Sequence, residues 1–194
     1  MEKTVVLVKP DGVKRGLVGE IISRIERVGH KIVALKMVWV DETFAAKHYP
    51  VKRKEWVLGM GEKTLKTYAE CGKDPEEELG TKDPYKIGKM VAKWNLEFLS
   101  SGPLVAVLLE GPHAIITVRK IVGFTVPYSA EAGSIRGTYS VDSPIQGNAG
   151  KRAVHNLIHA SGSAEEAKFE EKLWFHKNEI YDYKRVDEDL IYGE

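Results

Sequence analysis

Short apolar runs of strand length alternate along this chain with stretches of helical spacing, and that alternation restricts the fold more than any other feature. Residues 4–8 are apolar or β-branched and read as a buried strand. Lys9-Pro10-Asp11-Gly12 ends it as a turn. Leu17, Ile21, Ile22, Ile25 and Val28 then share a helical face, with Gly29 as the stop. Residues 31–40 read as a second strand, and Asp41 is placed to cap a short helix toward His48-Tyr49, with Pro50 beyond it. A third strand over 104–109 is followed by a helix over 113–122 that ends at Gly123. Residues 153–159 recover apolar character and predict a short last strand, and Ser163-Ala164-Glu165-Glu166 is a capping box opening a further helix.

This order contains two βαβ units, the split pattern of ferredoxin-like sandwiches. The expected class is α+β: a βαββαβ sandwich whose four-stranded antiparallel sheet is covered by helices on one face. Between the second and third strands, 55–70 and 84–99 look helical, and 72–83 between them is charged and turn-prone. These predict a helical hairpin, an insertion over 57–100 within a single domain spanning 1–194. The stretch 124–150, rich in Gly, Pro and Ser, reads as a long loop, and long loops in compact domains are functional or disordered.

Several function classes fall away on composition. The formal net charge of +1 offers no basic field for nucleic acid, so a nucleic-acid regulator is disfavoured. Cys71 is the single cysteine, which excludes an intramolecular disulfide and a cysteine-rich zinc site. No stretch reaches the roughly 20 apolar residues of a membrane span. The N-terminal apolar run is one strand long and meets Lys9-Pro10, unlike a signal peptide. A soluble, cytoplasmic protein is expected.

The common phosphate loops are missing. Gly59-Met60-Gly61-Glu62-Lys63-Thr64 falls short of a dinucleotide fingerprint and follows no strand. A nucleotide would have to be held by side chains, and Lys9, Arg119 and Arg136 are candidates. Taken singly, such charges are mostly solvated surface groups. Among six histidines, His155 and His159 would share a face if helical, yet no third metal ligand stands at zincin spacing. His159 leaves an apolar strand for a small-residue turn; from spacing alone it is equally a buried structural histidine.

Val8-Lys9-Pro10-Asp11-Gly12-Val13 with Arg15-Gly16 resembles the N-terminal signature of nucleoside diphosphate kinases. His48-Tyr49, Ile135-Arg136-Gly137, Asn156-Leu157-Ile158-His159-Ala160-Ser161-Gly162-Ser163 and Leu173-Trp174-Phe175 resemble later segments of that family, in order. The resemblance implies ping-pong transfer of a γ-phosphoryl group through a phosphohistidine at His159. It implies that Glu170 orients the imidazole, that Lys9 and Tyr49 assist at the transferring group, that Arg119, Thr125 and Arg136 hold phosphates, and that Asn156 meets the ribose. Trp56 is the candidate for stacking on the base. The nucleotide would carry Mg²⁺, with no metal site on the protein. Nucleoside di- and triphosphates are the implied partners, with assembly as a homo-oligomer, a hexamer or a tetramer of dimers. The rival expectation is an inactive scaffold that kept the fold. Three departures stand out: a longer 57–100, about ten extra residues between Arg136 and Asn156, and Gly162 where the family commonly has an acid.

Overall fold

Strand β1 (Glu2–Val8) lies inside the sheet, and from Thr4 to Val8 its residues are fully buried, as an apolar run flanked by partners on both sides requires. The computed structural model describes residues 1–193. After β1 come α1 (Pro10–Lys14), α2 (Val18–Glu26), β2 (Lys31–Val38), α3 (Glu42–His48), α4 (Lys54–Glu70), α5 (Pro75–Leu79) and α6 (Pro84–Leu99). Then follow β3 (Leu104–Gly111), α7 (Ala114–Val122), α8 (Ile135–Tyr139), α9 (Pro144–Ala149), β4 (Ile158–Ala160), α10 (Ala164–Trp174) and α11 (Glu188–Tyr192). The chain divides into two compact units. One holds Met1–Trp39, Pro103–Ser140 and the chain from Asn156 onward; the other holds Val40–Gly102 and Val141–His155.

In the first unit the strand order is β2-β3-β1-β4, every pairing antiparallel, as the split βαβ pattern predicts. Val6 and Val8 of β1 and Val105, Val107 and Leu109 of β3 point into one core with Ile21 and Ile25 of α2 and Val118 and Val122 of α7. Helices do not keep to one face. Helix α10 packs against β1, and its buried Glu170 bonds to His159, which pairs with Leu7 of the alternate set of β1 residues.

The last strand is shorter than the apolar run 153–159 predicts: β4 begins only at Ile158. Leu157 before it has φ of 67°, a left-handed value that interrupts extended backbone, and the Ile158 N–H donates to the Asn156 carbonyl at 2.7 Å across a three-residue turn. Lys9-Pro10-Asp11-Gly12 is more than a turn; it opens the single-turn helix α1, with Pro10 at the first helical position, where its missing N–H is harmless. The expected loop 124–150 contains α8, α9 and a 3-10 turn at Pro127–Ser129, with Ser134 and Ser143 capping the two helices.

In the second unit, α4 and α6 form the predicted antiparallel pair, joined through α5. Tyr68, Leu79 and Ile87 are its buried centre. Of the near-fingerprint glycines, Gly61 serves packing, together with Gly88 of α6. A Cβ at Gly61 would lie 1.7 Å from the Pro84 carbonyl oxygen, and one at Gly88 1.9 Å from that of Val57, so the two helices touch backbone to backbone there.

Candidate active site

His159 sits in the middle residue of β4, and the sheet decides its surroundings. Pairing with Leu7 places it beside the end of β1, and Lys9 is the first residue after that strand. The Lys9 N–H donates to the Leu157 carbonyl at 2.8 Å, which stitches the two segments past the end of the ladder. Lys9 is buried, and its ammonium donates to Asn156 Oδ1 at 2.8 Å. The Asn156 amide nitrogen donates in turn to the Thr125 main-chain carbonyl at 3.0 Å. Burial, with the nearby Arg136 charge, pushes Lys9 down to about 8, against the pull of Asp11.

His159 Nε2 lies 2.7 Å from Glu170 Oε1. Glu170 is 1% exposed and uses its second oxygen to accept from the Ser161 hydroxyl at 2.7 Å, while Ser161 Oγ accepts from the Val5 N–H at 3.0 Å. A chain of bonds thus runs from the backbone of β1 through Ser161 and Glu170 to the imidazole. A carboxylate at Nε2 favours the tautomer with its proton there, which puts the ring's lone pair on Nδ1. Burial and the Lys9 charge lower the proton affinity of His159; Arg136 and Arg119 add to this, and Glu166 opposes it. The imidazole is therefore neutral at pH 7.

Arg136 is buried and spends three N–H groups on main-chain carbonyls, those of Asn156 (3.2 Å), Gly123 (2.9 Å) and Ile158 (2.6 Å). It therefore braces the strand end that carries His159. Arg119 on α7 is exposed, as is Thr125. Tyr49 and Trp56 belong to the second unit, where their rings stack 6.1 Å apart at 28°. His155, also in that unit, stacks on Phe98 with centroids 4.9 Å apart. The stretch between His155 and His159 is not helical, so the two histidines share no helix face.

Two residues of the site, Ser161 and Asp11, carry no sequence-derived role, and a third, Glu166, has only that of a helix cap. Ser161 has a usable signal, since a residue two positions from His159 on a strand lies on the same face. Asp11, whose Oδ2 accepts from the Leu157 N–H at 3.0 Å, has none, because its partner is 146 residues away. Glu166 explains Gly162. Its Oε2 accepts from the Gly162 N–H at 2.6 Å, and a Cβ at 162 would lie 2.6 Å from that oxygen. A side chain at 162 would require this carboxylate to move aside.

A neutral imidazole, locked by a buried carboxylate and ringed by cations, is equipped to accept a phosphoryl group, which makes the protein a phosphotransferase by class. Comparison with known proteins agrees. The sequence profile described as nucleoside diphosphate kinase matches residues 2–59 and 84–180. The nucleoside diphosphate kinase of Pyrobaculum aerophilum is 47% identical over 180 residues, 93% of this chain and 98% of that protein. That of Archaeoglobus fulgidus is 37% identical over 194 residues, 100% of this chain and 99% of that one. A crystal structure of an NDP kinase from Pyrobaculum aerophilum superposes with a TM-score of 0.88 at 45% identity, covering 93% of this chain and 99% of that one. The Borrelia burgdorferi enzyme, solved as a transition-state mimic with vanadate and ADP, gives 0.77 at 37% identity, with 98% and 96% covered. The chain belongs to the nucleoside diphosphate kinase family.

Proposed function

We propose that this protein is an active nucleoside diphosphate kinase working by ping-pong transfer through His159. The observation that carries the reading is the Glu170–His159 bond at Nε2, because it hands the nucleophilic lone pair to Nδ1. Nδ1 attacks the γ-phosphorus of a nucleoside triphosphate; a P–N bond forms as the bond to the β,γ-bridging oxygen breaks, and a diphosphate leaves. A terminal oxygen of a second nucleoside diphosphate then attacks the phosphorus, the P–N bond breaks, and a new triphosphate departs. Lys9 stabilises negative charge on the transferring group, and Arg119, Arg136 and Thr125 serve the remaining phosphates. Asn156 holds Lys9 and meets the ribose with its remaining donor capacity. Tyr49 assists at the transferring group and Trp56 stacks on the base.

Mg²⁺ enters as part of the substrate, the magnesium–nucleotide complex, held mostly by phosphate and water oxygens. Two related structures support nucleotides as ligands, one bound to ADP and one, from Halobacterium salinarum, to CDP.

The reading includes one domain over 1–194 with an insertion at 57–100; the family profile leaves 60–83 unmatched, inside that span. It includes a homo-oligomer, a hexamer or tetramer of dimers, and the exposed Leu35 and Met37 of the edge strand β2 offer apolar surface for contact between copies. Among the described residues no helix is long and apolar enough to cross a membrane. The reading places the protein in the cytoplasm.

Incubation with γ-labelled ATP tests the activity. We expect an acid-labile phosphoprotein that passes its label to GDP and is lost in His159→Ala. Normal labelling of that variant would overturn the assignment. Absence of labelling in the wild type would favour the scaffold, and labelling without transfer to GDP a signalling role.

A further inference from the structure

Asp11 lies in the KPDG segment, which sequence reading treats as a turn, but its carboxylate is only 8% exposed and reaches into the site. Oδ2 accepts the Leu157 N–H at 3.0 Å, the group that the left-handed φ of 67° has turned out of the strand ladder. Lys9 and Asp11 therefore grip Leu157 from both ends, one by its carbonyl at 2.8 Å and the other by its N–H. The residues flanking Leu157 are Asn156, which holds the Lys9 ammonium, and Ile158, which precedes His159. Oδ1 is buried without a hydrogen-bond partner among the described residues.

We propose that Asp11 is a positioning residue for phosphoryl transfer: its carboxylate fixes the Leu157 turn so that Asn156 meets Lys9, and its charge keeps the Lys9 ammonium protonated. The inference rests on the phosphohistidine reading above. The charges acting on Lys9 include Asp11 from α1 and Arg136 from α8, and the titratable but neutral His159 of β4 lies close by. Asp11 alone among them favours the ammonium, and Lys9, held down to about 8, has little margin to lose at neutral pH.

The two functions separate in two variants. Asp11→Asn keeps an oxygen for the Leu157 N–H and removes the charge; Asp11→Ala removes both. In Asp11→Asn we expect the alkaline limb of His159 phosphorylation to move about one pH unit lower, with little change in the rate at pH 6. In Asp11→Ala we expect a loss of at least tenfold at pH 6 as well, with KM nearly unchanged. A fold-only role predicts wild-type pH profiles for both variants below their melting temperatures, and that result overturns the proposal. The Lys9 titration, followed by NMR at its Cε, needs no turnover. A midpoint in Asp11→Asn equal to the wild type's overturns the charge argument even if the enzyme is active. A midpoint lowered in Asp11→Asn relative to a wild-type chain that itself fails to label supports the charge argument while refuting the phosphohistidine reading instead.

Discussion

Replacing Lys9 by Met should make the protein more stable and nearly inactive, and the size of the first effect follows from the site. A buried ammonium whose proton is held at about 8 instead of 10.5 raises the free energy of the folded state by roughly 3 kcal/mol at pH 7, with the attraction of Asp11 already included. Met has similar length and no charge. It forfeits the 2.8 Å bond to Asn156 Oδ1, at about 1 kcal/mol. The net gain is about 2 kcal/mol, or roughly 5 °C in Tm for a chain of this length. The pH dependence gives the sharper signature. Between about 8 and 10.5 the unfolded chain holds the Lys9 proton and the folded chain has released it, so wild-type stability gains from rising pH across that window. Below it the full penalty stands. The advantage of Lys9→Met should therefore be largest at pH 7 and shrink steadily toward pH 10. Calorimetry of both proteins at pH 7, 8.5 and 9.5 measures this, and phosphorylation at pH 7 should fall by about 10²-fold or more. A variant less stable than wild type at pH 7, or an offset that ignores pH, would refute the reasoning.

Other perturbations probe other parts of the structure. Glu170→Ala should slow phosphoenzyme formation by about 10²-fold with little change in KM, because Nε2 loses the group that sets its tautomer; an unchanged single-turnover rate would count against that role. Since burial and neighbouring cations hold His159 below 6.5, its labelling rate should stay flat from pH 7.5 to 6, and a midpoint near 6.5 would contradict the site electrostatics. The same depression means that the unfolded chain takes up this proton first as pH falls below 6.5, so His159→Gln should lessen the acid loss of stability seen by denaturant titration. Asp142 accepts from Arg152, Ser143 N and His155 N; Asp142→Ala should cost about 2 kcal/mol and expose 142–155 to limited proteolysis. Gly61→Ala must force α4 from α6 and should lower stability by more than about 2 kcal/mol, which urea unfolding would detect.

Elements long enough to repeat their pattern are legible in the sequence. The β-branched run of β1, the spaced aliphatics of α2 and α7, the hairpin pair α4 and α6 and the Ser163 cap of α10 all stand where local chemistry puts them. The single-turn helices α1, α5, α8 and α9 do not show periodicity, because five or six residues complete too few turns; only their caps, Asp74, Ser134 and Ser143 among them, hint at them. Strand β4 is misjudged for another reason. Nothing in 153–159 says that Leu157 will take a left-handed turn, since its justification is the Asp11 carboxylate from the far end of the chain.

The candidate site divides along the same line. Lys9 and His159 are recognisable from their neighbours in the sequence, and so is the family to which the chain belongs. What makes them chemistry is decided only when β4 pairs with β1 and α10 covers that face. Then Lys9 meets Asn156, Ser161 and Glu170 lock the imidazole, and Glu166 fills the space at Gly162. Arg136 looks like a phosphate ligand in the sequence and is first a brace in the structure. Residue identity sets what each group is able to donate or accept; which partner it meets, and therefore its charge state, depends on contacts between residues up to 156 positions apart that only the folded sheet brings together.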